Sequence, residues 1–85
     1  MYYDIKSAEY VNDYKIKILF ENGTEGIADL SEIISRGGVF NELKDLNNFK
    51  DFYIHPELKV LTWKNEIDIA PETLYSLVVG EKIPT

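Results

Sequence analysis

The residues best suited to chemistry in this chain are its one histidine, His55, and the carboxylates Asp29, Glu66, Asp68 and Glu72. Paired carboxylates perform acid/base work or hold a hard cation, and an imidazole supplies a base near neutral pH. A single histidine leaves no multi-histidine metal site within one chain. Structural duties absorb most of the acids: Asp29 reads as a helix cap, Glu72 as favourable negative charge in the first turn of a helix, and Glu66 as part of an exposed turn. His55 stands beside Pro56, where a surface or hydrogen-bonded ring is expected. Asp68 alone lacks a complete structural account; capping the last helix, pairing with a lysine and serving as the acid of a site are all open to it. Gly37-Gly38 lacks the strand, glycine-rich loop, helix and following lysine of a phosphate loop, so it reads as a helix stop. The expectation is therefore no catalytic residue, no metal and no cofactor.

A second kind of chemistry is recognition. Tyr and Trp are enriched at interface hot spots, and Tyr2, Tyr3, Tyr10, Tyr14, Tyr53 and Trp63 supply them. Most such rings pack a small sheet. A surplus is expected at Tyr2, Tyr3 and Tyr10, where a strand near the N-terminus forms an exposed edge, and these three are the candidate interaction patch. Lys15 and Lys17 share one strand face, with Lys6 a possible neighbour, but they read as the solvated side of an amphipathic strand. With 9 Lys plus Arg against 15 Asp plus Glu, the net charge of −6 opposes binding to a phosphate backbone. No direct nucleic-acid partner is expected.

These residues must be positioned by one modest core. Eighty-five residues at 45% hydrophobic content fit one folded domain spanning residues 1–85. Without cysteine there is no disulfide scaffold and no thiolate-bound metal. No apolar stretch approaches the roughly 20 residues that span a bilayer, and Met1-Tyr2-Tyr3-Asp4 lacks the features of a signal peptide. A cytoplasmic protein away from membranes is the expectation.

The strongest local signal is the run from Ile16 to Leu30. Tyr14, Ile16, Ile18 and Phe20 alternate with Lys15 and Lys17 as in a half-buried strand, and Asn22-Gly23 fits a type I′ hairpin turn into a strand over residues 24–30. Residues 3–11 read as a preceding strand with a bulge at Ser7 and Ala8, closed by the turn pair Asn12-Asp13. Gly26 leaves a gap for a neighbouring aromatic or a bulge. Asp29 and Glu32 fit a capping box for a short helix carrying Ile33 and Ile34, with Ser31 a competing cap. Phe40, Leu43 and Leu46 recur at helical spacing, and Asn47 or Asn48 caps a further turn with Phe49 and Phe52. Phe52 to His55 and Leu58 to Trp63 are strand-like, Asn65 offers a second tight turn, and Ile67 and Ile69 bracket an outward Asp68. Pro71 opens a last helix with Leu74, Tyr75, Leu77 and Val78 as its apolar stripe, stopped by Gly80. The fold class is α+β, with a mainly antiparallel sheet of about five or six strands, and Ile16, Ile18, Phe20, Leu61, Trp63, Leu74 and Leu77 are expected to share one core.

Leu19-Phe20-Glu21-Asn22-Gly23 with Ala28-Asp29-Leu30, Gly38-Val39-Phe40-Asn41-Glu42-Leu43-Lys44-Asp45 with Phe49, Leu61-Thr62-Trp63, Asp68, and Pro71-Glu72-Thr73-Leu74-Tyr75 occur in this order. Together they resemble the bacterial domain-of-unknown-function family twenty-four forty-two. The Lys64-Asn65-Glu66 turn departs from the glycine common there. The resemblance implies a small α+β domain without established enzymatic activity, found alone or fused to a helix-turn-helix segment, with some members arranged like toxin–antitoxin pairs. With so few residues after the Leu74 to Val78 helix, the fused DNA-binding segment is not expected here. The function expected is a non-catalytic protein-interaction or regulatory module, antitoxin-like, with a protein partner or a homodimer. The alternative is a small ligand-binding protein or enzyme with a site beside Asp68 or at an oligomer interface.

Overall fold

The computed structural model describes residues 3–64 and 67–79. The chain runs β1 (Ile5–Asn12), β2 (Lys15–Phe20), β3 (Glu25–Asp29), α1 (Ser31–Ser35), a 3-10 helix (Gly38–Lys44), α2 (Leu46–Phe49), β4 (Tyr53–Ile54), β5 (Leu61–Trp63), β6 (Ile67–Ile69) and α3 (Pro71–Val79). The α+β class is as expected, but the six strands form two antiparallel sheets, β1-β2-β3 and β4-β5-β6, and not one. A link between them survives at one point: the Ile5 N–H donates to the Lys59 carbonyl at 3.1 Å. The divided sheet follows from strand length, since β4, β5 and β6 are two or three residues each and cannot extend the longer ladder.

In the first sheet, Ile16, Ile18 and Phe20 point inward while Lys15 and Lys17 point out. The register slips between Ile5 and Ser7, which places Ile5, Ala8 and Tyr10 on the core side together; the bulge lies where it was expected. The β2–β3 turn differs from expectation. Only Gly23 is left-handed, at φ +91°, and Asn22 is not. The Gly23 N–H donates to the Phe20 carbonyl at 3.0 Å and the Phe20 N–H to the Thr24 carbonyl at 2.8 Å, so Glu21-Asn22-Gly23 form a three-residue loop ending in a bulge glycine. The Asn22 side chain accepts the Thr24 N–H at 2.9 Å, which holds Asn22 as a turn former without positive φ.

One hydrophobic core joins both sheets and α3, and Ile16, Ile18, Phe20, Leu61, Trp63 and Leu74 are all within it. Leu77 packs at its margin, half-buried. Trp63 stacks obliquely on Phe49 with ring centroids 5.9 Å apart, and its Nε1–H donates to the Phe49 carbonyl at 2.8 Å. Gly26 is filled by neither an aromatic nor a bulge. A Cβ there would lie 2.7 Å from Val78 Cγ1, so glycine is what lets α3 seat on β3.

The helical middle is anchored differently from the capping box expected. Asp29 accepts the Ser31 N–H at 3.0 Å and the Ser31 hydroxyl at 2.7 Å, a local turn before α1, and Glu32 pairs with Arg36 at 3.7 Å. The carboxylate meets the nearest donors in the chain, so neither reciprocal bond forms. Asp45, not Asn47 or Asn48, caps α2 by accepting the Asn47 N–H at 2.9 Å. Phe52 lies beyond α2 and packs edge-on to Trp63. Residues 58–60 are turn and loop, with Lys59 at φ +57°, which shortens the strand expected from Leu58. The Asn65 turn and the Gly80 stop lie outside the described residues.

Candidate interaction surface

The outer face of β4, β5 and β6 gathers residues that are far apart in sequence. Tyr53 pairs with Thr62, and Thr62 with Asp68, so one row crosses the sheet with Tyr53 and Asp68 exposed at its two sides. The β4–β5 connection finishes the surface. The His55 N–H donates to the Val60 carbonyl and the Lys59 N–H to the His55 carbonyl, both at 2.9 Å. His55 Nδ1 accepts the N–H groups of Glu57 and Leu58, each at 3.1 Å. This closed turn fixes the backbone of Leu58, which is 62% exposed, while Tyr53 is 48% exposed. Thr62 is buried beneath them and its hydroxyl donates to the Val60 carbonyl at 3.1 Å.

Tyr53, His55, Leu58, Thr62 and Asp68 thus line an open hollow of about 460 Å³. With Nδ1 accepting from two amides, the His55 ring is left with Nε2–H as a donor toward the hollow. The Asp68 side chain caps no helix and pairs with no lysine among the described residues. It therefore stands beside two large side chains as an acceptor with no partner among the described residues.

The residues singled out in the sequence are dispersed. Tyr3 and Tyr10 lie near opposite ends of β1, about 23 Å apart at the usual rise per residue. Both are half-buried: Tyr3 meets Tyr75 edge-on at 4.6 Å, and Tyr10 meets Phe49 at 6.1 Å with Lys50 5.1 Å over its ring. Tyr2 and Glu66 lie outside the described residues. Glu72 is exposed in the first turn of α3. The two Ser31 bonds, the backbone one foremost, hold the Asp29 carboxyl below the usual range; slight burial opposes this and Lys15 adds to it.

The lysine face is balanced by acids. Lys15 stands opposite Asp29, and Lys17 stands between Glu9 and Ile27 with Glu25 at 3.8 Å. A second cleft, about 250 Å³, lies against Trp63 and Ile67, with the Lys64–Asp51 ion pair of 3.0 Å at its rim. Among the described residues no three His, Cys, Asp or Glu side chains gather as metal ligands, and no helix is long and apolar enough to cross a membrane.

The sequence marked His55 and Asp68 separately and placed Tyr53 only in a list of aromatics. The missing information was the register that sets Tyr53, Thr62 and Asp68 in one row.

A two-sheet α+β domain built on this hairpin, glycine contact and C-terminal helix defines the class of protein. The family model for a protein of unknown function (DUF2442) matches residues 5–80, and the chain belongs to that family. No curated protein and no solved structure matches it.

Proposed function

We propose that the chain is a non-catalytic protein-interaction module of the bacterial cytoplasm, regulatory in the manner of an antitoxin, whose first partner is a second copy of itself. The observation that carries this reading is the pair Tyr53 and Leu58, both largely exposed and fixed on one face. Large apolar groups held rigidly at a surface favour association, since covering them removes apolar area from water at about 25 cal/mol per Å². A two-fold dimer is the commonest closed arrangement. The alternation of Lys15 and Lys17 with Glu9, Glu25 and Asp29 supports a face that does not bind nucleic acid.

Sedimentation at low micromolar concentration tests the reading. The parent chain is expected to run as a dimer and the Tyr53→Ser/Leu58→Ser variant as a monomer, with no binding of random duplex at moderate salt by either. A strictly monomeric parent, or tight duplex binding, overturns it. One observation favours a second reading, a small ligand in the hollow: Asp68 and the His55 Nε2–H offer an acceptor and a donor there. Under that reading Asp68→Asn abolishes uptake of a cationic ligand and leaves the dimer intact.

A further inference from the structure

We infer that the edge of β3, free among the described residues, accepts a fourth strand from a partner protein, an extended segment with one apolar residue flanked at alternate positions by lysine or arginine. This site is separate from the Tyr53–Leu58 face and does not depend on it.

The pairing of β2 with β3 determines which backbone groups are available. In an antiparallel ladder, hydrogen-bonded pairs alternate with pairs whose N–H and C=O groups point away. Phe20–Thr24 and Tyr14–Leu30 lie in one continuous register and are each joined by one bond, the Phe20 N–H donating to the Thr24 carbonyl at 2.8 Å and the Leu30 N–H to the Tyr14 carbonyl at 2.9 Å. By alternation Ile16–Ala28 and Ile18–Gly26 are hydrogen-bonded, and the N–H and C=O groups of Glu25, Ile27 and Asp29 point to the open side. No backbone group among the described residues meets them there. The helix α3 packs over the inner face at Gly26 and not along this edge's outward side chains, since Glu25, Ile27 and Asp29 are all exposed.

Charge then selects the occupant. Across the outer face unlike charges are neighbours: Glu9 opposite Lys17, Lys15 opposite Asp29, and Glu25 3.8 Å from Lys17. A strand added to β3 sets its side chains directly opposite Glu25, Ile27 and Asp29, and unlike charges there are favourable while like charges are unfavourable. Basic, apolar, basic at alternate positions continues the pattern. A second copy does not fit, because two β3 strands paired antiparallel about Ile27 set Glu25 against Asp29 of the other chain. Edge acids of this kind discourage indiscriminate pairing and leave a complementary strand admitted.

The test uses the whole chain and a labelled peptide with a Lys-Thr-Val-Thr-Lys core, against a control with Glu in place of both Lys. Saturable binding of the basic peptide, at least tenfold tighter than the acidic one and weakened by salt, is expected. Ile27→Pro removes one outward N–H that the β2–β3 ladder does not use, so it should keep the fold by circular dichroism and lose peptide binding at least tenfold. Glu25→Lys should narrow or reverse the preference between the two peptides. Hydrogen exchange gives an independent reading: the Glu25, Ile27 and Asp29 amides should exchange rapidly in the free chain and slow on adding peptide. Slow exchange in the free chain at every concentration would mean the edge is already covered by the chain itself, and slowing with concentration would mean a second copy occupies it. Either result overturns the proposal, as does equal or absent binding of the two peptides. The Tyr53→Ser/Leu58→Ser variant should bind the peptide as the parent does, so loss of the dimer and loss of the strand site are told apart.

Discussion

Replacing Gly26 by alanine should destabilise the protein through its contact with Val78, 52 residues away in sequence and beyond the reach of any local rule. The added Cβ would lie 2.7 Å from Val78 Cγ1 and 3.3 Å from the Val78 carbonyl oxygen. Ordinary carbon contacts sit near 3.5–4.0 Å, so about 1 Å must be found. The methyl can turn aside, but the carbonyl belongs to the backbone of α3, and the helix has to move off β3. Overpacking of this size costs about 1–3 kcal/mol. Against a total of about 4–13 kcal/mol for a chain this length, that is a large fraction, and it lowers Tm by about 4–8 °C for each kcal/mol. Urea unfolding followed by the fluorescence of Trp63, the single tryptophan and a buried one, reads the change. Val78→Ala alone should cost about 1 kcal/mol, and the double variant should recover about 1 kcal/mol relative to the sum of the two. An unchanged urea midpoint for Gly26→Ala, or strict additivity in the double variant, would refute the close approach.

Three further outcomes follow from the same packing. Trp63→Ala should cost about 3–5 kcal/mol and threaten folding, since it empties the space beside Phe49 and strands the Phe49 carbonyl; an unchanged Tm would remove Trp63 from the core. Gly23→Val should cost about 1–2 kcal/mol through its φ of +91° alone, because the space around it is open, and should exceed Glu21→Ala; equal urea midpoints would dismiss the loop geometry. The Asp29 carboxyl is held low when folded, so its contribution is present above the unfolded value and fades as pH falls through the folded one. Asp29→Asn should therefore flatten the acid limb of the stability curve slightly, the group being exposed, and an identical limb would discount the Ser31 bonds.

Much of the fold was legible because it is written in short-range patterns. The alternation from Tyr14 to Phe20, the bulge near Ser7 and the Pro71 helix start each depend on neighbours a few residues apart. Sequence pattern and structure part where a tertiary partner or a competing local bond decides. Asn22-Gly23 supports two hairpin geometries, and the Asn22 bond to Thr24 selects the three-residue one. Asp29 had Ser31 nearer than Glu32, so the capping box lost to a shorter turn. Leu58 belongs to a strand by composition but to a turn once His55 Nδ1 collects two amides around it. The candidate surface was legible only in parts, since Tyr53, Thr62 and Asp68 become neighbours through register, which sequence periodicity leaves open.

Amide spectra of the parent chain recorded across a dilution series test the central claim most directly, because they show both whether copies associate and where. Concentration-dependent shifts confined to residues 53–62 and to Asp68, and absent in the Tyr53→Ser/Leu58→Ser variant, are the predicted result. Spectra that do not change with concentration, or changes centred on other residues, would contradict the assignment of this face as the contact surface.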